Sequence, residues 1–310
     1  MAAGTLGHMA DPLLLLPDLL LIVCGYVICH YTPLNQPVWE GVERLVYHVL
    51  FPALLFTAIV RSPQQVADML PLAGASLVVT VVGVALALAL GHWPGVDARL
   101  HASGAQTAYR FNTYVALALS ERIAGAQGLA WIALIVALSV PVTNVAAVWS
   151  LARHGNQGTL RQLLRNPLIL ATSAGLLCKL VDLTLPALAL NTAARIGSAA
   201  LPLGLMAVGA GLRLGALREG PRLAVALLSI RHAILPLLAM ALVVLLGLPP
   251  AQQAVGVAFA AMPCAPSAYV LAVRMGGHGP FVAGLVTVST LIAMAGLPLS
   301  LALLRQLTSG

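Results

Sequence analysis

Apolar residues run along this chain in stretches of about 20, the length an α-helix needs to cross the hydrocarbon core of a bilayer, and short polar breaks separate them. The pattern predicts about ten spanning helices, near 13–31, 42–61, 69–92, 101–120, 127–151, 167–182, 195–214, 222–247, 252–273 and 281–305. The breaks TPLNQP, RSPQQ, HWPG, RIAGAQG, RHGNQG, LREGP, GLPP and GGHGP are built from turn residues. The expected fold class is an all-α membrane protein.

Composition supports that class. Of 310 residues, 60% are hydrophobic and 8% charged, and the mean hydropathy is +0.96, beyond what a water-soluble domain can cover with polar surface. Sixteen Lys and Arg against nine Asp and Glu give a formal charge of +7. In a membrane protein this excess reports orientation, so lipid rather than nucleic acid is the expected partner. Arg153, Arg161 and Arg165 mark one loop, and Arg213, Arg218 and Arg222 another, whereas GLPP has no basic residue. The two basic loops are therefore assigned to the cytoplasm, with both termini outside a bacterial inner membrane. Residues 1–12 form a tail without the basic start of a cleavable signal, and the Gly-His-Met within it reads as partly non-native. Cys24, Cys29, Cys178 and Cys264 lack metal-ligand spacing and are expected to pack as small hydrophobes.

The two halves of the chain share an order of features. FPALLFTAIV (51–60) is similar to LPLGLMAVGA (201–210), setting Pro52 against Pro202. NTYVALAL (112–119) is similar to SAYVLAV (267–273), setting Asn112 against Ser267 and Tyr114 against Tyr269, and Pro141 and Pro298 interrupt the fifth and tenth spans. A first five-helix repeat over 13–153, a basic linker at 154–166 and a second repeat over 167–306 follow. An odd number of spans per half makes the second repeat inverted, the arrangement of many carriers.

The candidate chemistry lies in two stretches. MPCAPSAY (262–269) carries Pro263 and Pro266, which remove two backbone donors and are expected to break the ninth helix. In the fourth, QTAYRFNTYVALALSERIAG (106–125) places Arg110, Asn112 and Tyr114 at membrane depth, where polar groups are costly unless used. If both helices break, two helix N-termini converge on a site suited to an anion. Three readings of Arg110 and Asn112 stay open. Asn112 satisfies freed backbone while Arg110 snorkels or pairs with Glu121; Asn112 contacts substrate while Arg110 makes the cavity positive; or the span is shifted and Arg110 lies near an interface. The candidate binding residues are Arg110, Asn112, Tyr114, Ser267 and Tyr269, with Asn144 either lining the same cavity or binding a carbonyl freed by Pro141. His48 and His232 are expected as satisfied helix contacts, Arg231 near a helix end, and Lys179 with Asp182 as a same-face pair. No carboxylate is evident around the two breaks. Without a phosphate loop, nucleophile elbow or metal motif, no enzyme, metal or cofactor is expected.

RFNTY, VPVTNVAAVWSLARHG, LLRNPLILATSAGLL, ALPLGLMAVGAGL and AAMPCAPSAYVLAVRMGG together resemble the auxin efflux carrier family, which includes plant auxin carriers and bacterial permeases for malonate or malate. The similarity runs from about residue 13 to residue 305. It implies a fold like bile-acid symporters and sodium/proton antiporters, with spans 1, 2, 6 and 7 as a scaffold and the other six as a transport domain whose helices 4 and 9 are broken and crossed. It also implies elevator-type movement and a homodimer through the scaffold. Asn112 matches the family's fourth-helix asparagine and Pro263 its ninth-helix proline. This chain departs by reading PCAPSAY where the family has P-x-x-N-A-Y, so Ser267 replaces an amide and Pro266 adds a proline; a proline after the fourth-helix asparagine is also missing. The expected function is a secondary transporter, an efflux carrier or permease, for a small organic anion such as a mono- or dicarboxylate or auxin-like acid. A sodium-coupled importer of the bile-acid type and a non-transporting ligand receptor are the alternatives.

Overall fold

The computed structural model describes residues 16–61, 66–152, 167–181, 183–212 and 220–309. The tail 1–12, the linker 154–166, Arg153, Arg161, Arg165, Arg213 and Arg218, and the pairing of Lys179 with Asp182 lie outside the described residues. Regular structure in the described residues is helical: α1 (Leu16–Tyr31), α2 (Gln36–Arg61), α3 (Leu70–Ala89), α4 (Ala98–Gly104), α5 (Thr113–Ala152), α6 (Pro167–Leu180), α7 (Ala187–Ala210), α8 (Pro221–Leu245), α9 (Pro250–Ala261), α10 (Ser267–Arg274) and α11 (Gly279–Ser309). Six helical stretches are long and apolar enough to cross a bilayer: Gln36–Arg61, Ala67–His92, Thr113–Leu151, Ala187–Ala210, Pro221–Leu245 and Gly279–Thr308. The molecule is an all-helical, multi-pass membrane protein.

Departures from regular helix have local causes. In α5, Ala124 and Gly125 leave helical geometry, Gly125 at φ 55°, so 113–123 and 126–152 are two helices joined at a glycine that tolerates the left-handed region. In α2 and α8 the backbone widens to a π turn at Val46–Leu50 and Ile230–Ile234. Each wide turn contains a histidine four residues before a proline, His48 before Pro52 and His232 before Pro236. Proline offers no N–H to the carbonyl four residues back. The chain closes i to i+5 instead, from Phe51 N–H to the Val46 carbonyl and from Leu235 N–H to the Ile230 carbonyl.

Two groups of helices pack around α5. In one, α1 lies against the second half of α7, α2 packs on α6 and on both halves of α7, and small residues bring backbones together. A Cβ at Gly25 or Gly209 would collide with the backbone of Met206 or Ile22, so only glycine allows this crossing. In the other, α3 and α9 pack on α5, α8 packs on α3 and α9, and α11 packs on α9. Phe51, Leu55, Leu117, Ile132, Ile135 and Phe259 are among the buried residues joining both groups in one core. Exposed Leu20, Val27, Leu237 and Leu245 face outward, where lipid would meet them.

Two chain passages stop being helical in the middle of this packing. After α4, capped by the Asp97 carboxylate at the Leu100 N–H (2.8 Å), a tighter turn over Ala105–Ala108 leads to an extended stretch ahead of α5. The second interruption separates α9 from α10. Pro266 differs from the sequence expectation: at φ −57° and ψ −31° it has helical geometry and stands at the start of α10. With no helical turn before it to clash with, it opens a helix rather than breaking one.

Candidate functional site

The two extended segments cross and pair antiparallel through Phe111 and Cys264. Asn112 N–H donates to the Pro263 carbonyl at 2.8 Å, and Ala265 N–H to the Arg110 carbonyl at 3.4 Å. Phe111 meets Phe259 edge to face at a centroid distance of 4.7 Å, sealing one side of the junction. Helices 113–123 and α10 both begin here, so their positive ends converge on the crossover.

Asn112 starts the first of these helices. Its side-chain oxygen accepts from Tyr114 N–H (3.0 Å) and Val115 N–H (3.3 Å), capping orphan donors of the first turn. That use of the oxygen fixes the amide's orientation. The Nδ2 group, on a residue 1% exposed, has no hydrogen-bond partner. A buried donor left unsatisfied costs about 1–3 kcal/mol, and Asn112 lines a cavity where an acceptor can sit.

That cavity has a volume of about 590 Å³, in the range of small-molecule sites. All six candidate binding residues, Arg110, Asn112, Tyr114, Asn144, Ser267 and Tyr269, line it, as does Pro266. Pro263 is not among its lining residues and serves the crossover through its carbonyl. Arg110 donates to Ser267 Oγ (3.0 Å) and to Gln106 Oε1 (3.4 Å) rather than to Glu121, tying the first segment to the start of α10. The Tyr114 ring stacks on Phe51 of α2 at 4.8 Å, which fixes it as an apolar wall.

The facing wall corrects an expectation. Glu40 and Glu43 line the cavity together with Gln36, Arg44, Tyr47 and His48 of α2, although no carboxylate was evident near the breaks in sequence. The helix begins at Gln36, six residues ahead of the apolar run, and its first turns carry a polar face. Two carboxylates, Glu40 and Glu43, and two guanidiniums, Arg44 and Arg110, balance formally along the lining. The cavity is thus positive at its crossover end rather than throughout.

Arg231 is a second correction. It lies within α8, 2% exposed, in the wide turn and not near a helix end. Its Nε donates to the Met262 carbonyl (2.6 Å) and Nη2 to the Phe259 carbonyl (3.2 Å), so it caps α9 where the helix stops. His232, next in the same turn, shares a 2.8 Å hydrogen bond with Ser289 Oγ of α11, and that oxygen accepts from Cys264 N–H at 2.8 Å. His232 is therefore a satisfied helix contact, as expected, and its partner is a residue that holds the crossover. The sequence signal for this support was the repeated His-x-x-x-Pro spacing.

No curated protein matches the chain. Residues 97–301, about two thirds of the chain and including both crossing segments, match the family model described as membrane transport protein, so the chain belongs to that family, the family of the auxin efflux carriers.

Proposed function

We propose that this membrane transporter is a secondary carrier for a small organic anion whose carboxylate is bound at the crossover by Asn112 Nδ2 and the Ser267 hydroxyl, at the positive ends of helices 113–123 and α10. The unpartnered, buried Asn112 donor beside a cavity of about 590 Å³ is the observation that carries this reading. Arg110 contributes positive charge while ordering Ser267. The antiparallel pairing of the crossing segments supports a five-plus-five inverted repeat of ten spans. The cavity lies between the polar face of α2 and the crossover, and α1, α2, α6 and α7 pack with one another. This arrangement favours an elevator in which the crossover and its helices slide past that group. An interior-negative potential drives a monoanion outward with about 2.3 kcal/mol per 100 mV, so efflux needs no further driving ion. Counterflow in proteoliposomes, screened over mono- and dicarboxylates, tests the site. Transport of every active acid left unchanged in both Asn112→Ala and Ser267→Ala would exclude it.

A further inference from the structure

In carriers with broken helices, unwound carbonyls and half-helix C-terminal ends are where a coupling cation is held. Here α9 ends in such a place, and the carbonyls of Phe259 and Met262 already receive the guanidinium of Arg231. No carboxylate is hydrogen-bonded or ion-paired to Arg231 among the described residues, and both protein groups it meets are backbone oxygens. Its charge is therefore balanced only by carbonyl dipoles, in a buried position directly behind the segment that carries Cys264 and Ala265.

We propose that Arg231 is a built-in cation: a positioning residue that occupies the α9 terminus in place of a metal ion, keeps segment 262–265 in its extended form, and makes the crossover competent without sodium. The placement is specific. The wide turn before Pro236 also presents His232, whose Ser289 partner holds the Cys264 N–H, so one distortion of α8 supports both sides of the segment. A bound sodium would dissociate with each cycle, whereas a tethered guanidinium cannot leave. The consequence for transport rests on the anion-carrier reading; the consequence for the crossover does not.

The test therefore uses purified protein without any substrate, in sodium chloride and in choline chloride at equal ionic strength, about 150 mM. Thermal unfolding and amide hydrogen exchange are the two readouts. The expected result is no sodium-specific change in the midpoint of the wild type. In Arg231→Met, which loses both charged hydrogen bonds, exchange at Met262, Cys264 and Ala265 is expected to rise by about tenfold or more, the worth of one such bond at the least. Arg231→Lys, which keeps the charge and N–H donors on a single ammonium, should restore most of that protection. A sodium-specific stabilisation of the wild type by about 3 °C or more overturns the proposal, as does Arg231→Met exchange no faster at these amides than elsewhere, or no recovery in Arg231→Lys. Should Arg231→Met fail to fold, the sodium titration and the Arg231→Lys exchange pattern decide, a rise beyond about tenfold in the latter counting against. Because no substrate enters, failure here leaves the anion site standing, and inactive Asn112 controls speak to that site alone.

Discussion

Segments 109–112 and 262–266 both connect one helix to another at the crossover, yet they are held in different ways. The first is organised largely by its own side chains: Asn112 caps the helix it opens, and Arg110 reaches forward to Ser267 and back to Gln106. The second relies on other helices, with Arg231 of α8 closing the helix before it and Ser289 of α11 holding the Cys264 N–H. The difference assigns tasks. A segment fixed from outside is a rigid frame, while one fixed by its own polar residues can leave a donor, Asn112 Nδ2, for a ligand.

Substitutions that spare one of these tasks sharpen the comparison most. Asn112→Asp keeps an oxygen for the cap, replaces the free donor with an acceptor and adds negative charge. Counterflow of the transported anion is expected to fall by about 100-fold or more, the upper end for a hydrogen bond to a charged group, with the thermal midpoint unchanged. Asn112→Ala should lose transport by about tenfold or more and also about 1 kcal/mol of capping. Retained activity in the Asp variant would show that Asn112 only caps. On the second segment the order reverses. Ser289→Ala strands the Cys264 N–H and costs about 1–3 kcal/mol, so a lower midpoint should accompany a smaller transport loss, about tenfold. Full stability in Ser289→Ala would show that α11 does not hold the frame.

Ser267 lies where the two constructions meet, and its effect should be smaller. Ser267→Ala removes one of the two side-chain acceptors of Arg110 and one hydroxyl donor to the ligand. A hydrogen bond to a charged group contributes about 1.5 kcal/mol at the lower end, so half-saturation should rise about tenfold at a nearly unchanged maximal rate. A fall in maximal rate alone would place Ser267 in the moving step instead of in binding.

The crossover was legible in sequence because prolines and an Arg-Phe-Asn run stand out in apolar stretches, and the cavity then gathered all six candidates. Its supports were less legible, for identifiable reasons. Arg231 reads as lying near a helix end, since hydropathy does not encode hydrogen-bond register; only a wide turn lets it and His232 both serve the helix interior. Glu40 lies before the expected span 42–61 and Glu43 just inside it, so the polar face of α2 is hidden until the helix is seen to begin at Gln36. His-x-x-x-Pro occurs in both wide turns, but the outcome depends on tertiary setting. His48 is exposed and bonded to the Arg44 carbonyl of its own helix, whereas His232 reaches a neighbouring helix.

Pro266 gives the smallest expected effect and the most direct separation of frame from ring. Two prolines in MPCAPSAY suggest that ring constraints shape the segment, yet Pro266 sits in the right-handed helical region that alanine also occupies. Its carbonyl receives the Tyr269 N–H, a bond that substitution would leave intact. Pro266→Ala should therefore change stability by no more than about 1 kcal/mol, mainly through greater freedom of the unfolded chain, and transport by less than about twofold. A loss beyond about tenfold would mean that the ring, and not Arg231 with Ser289, sets the path of 262–266, and the contrast between a self-held segment and a framed one would fail at that point.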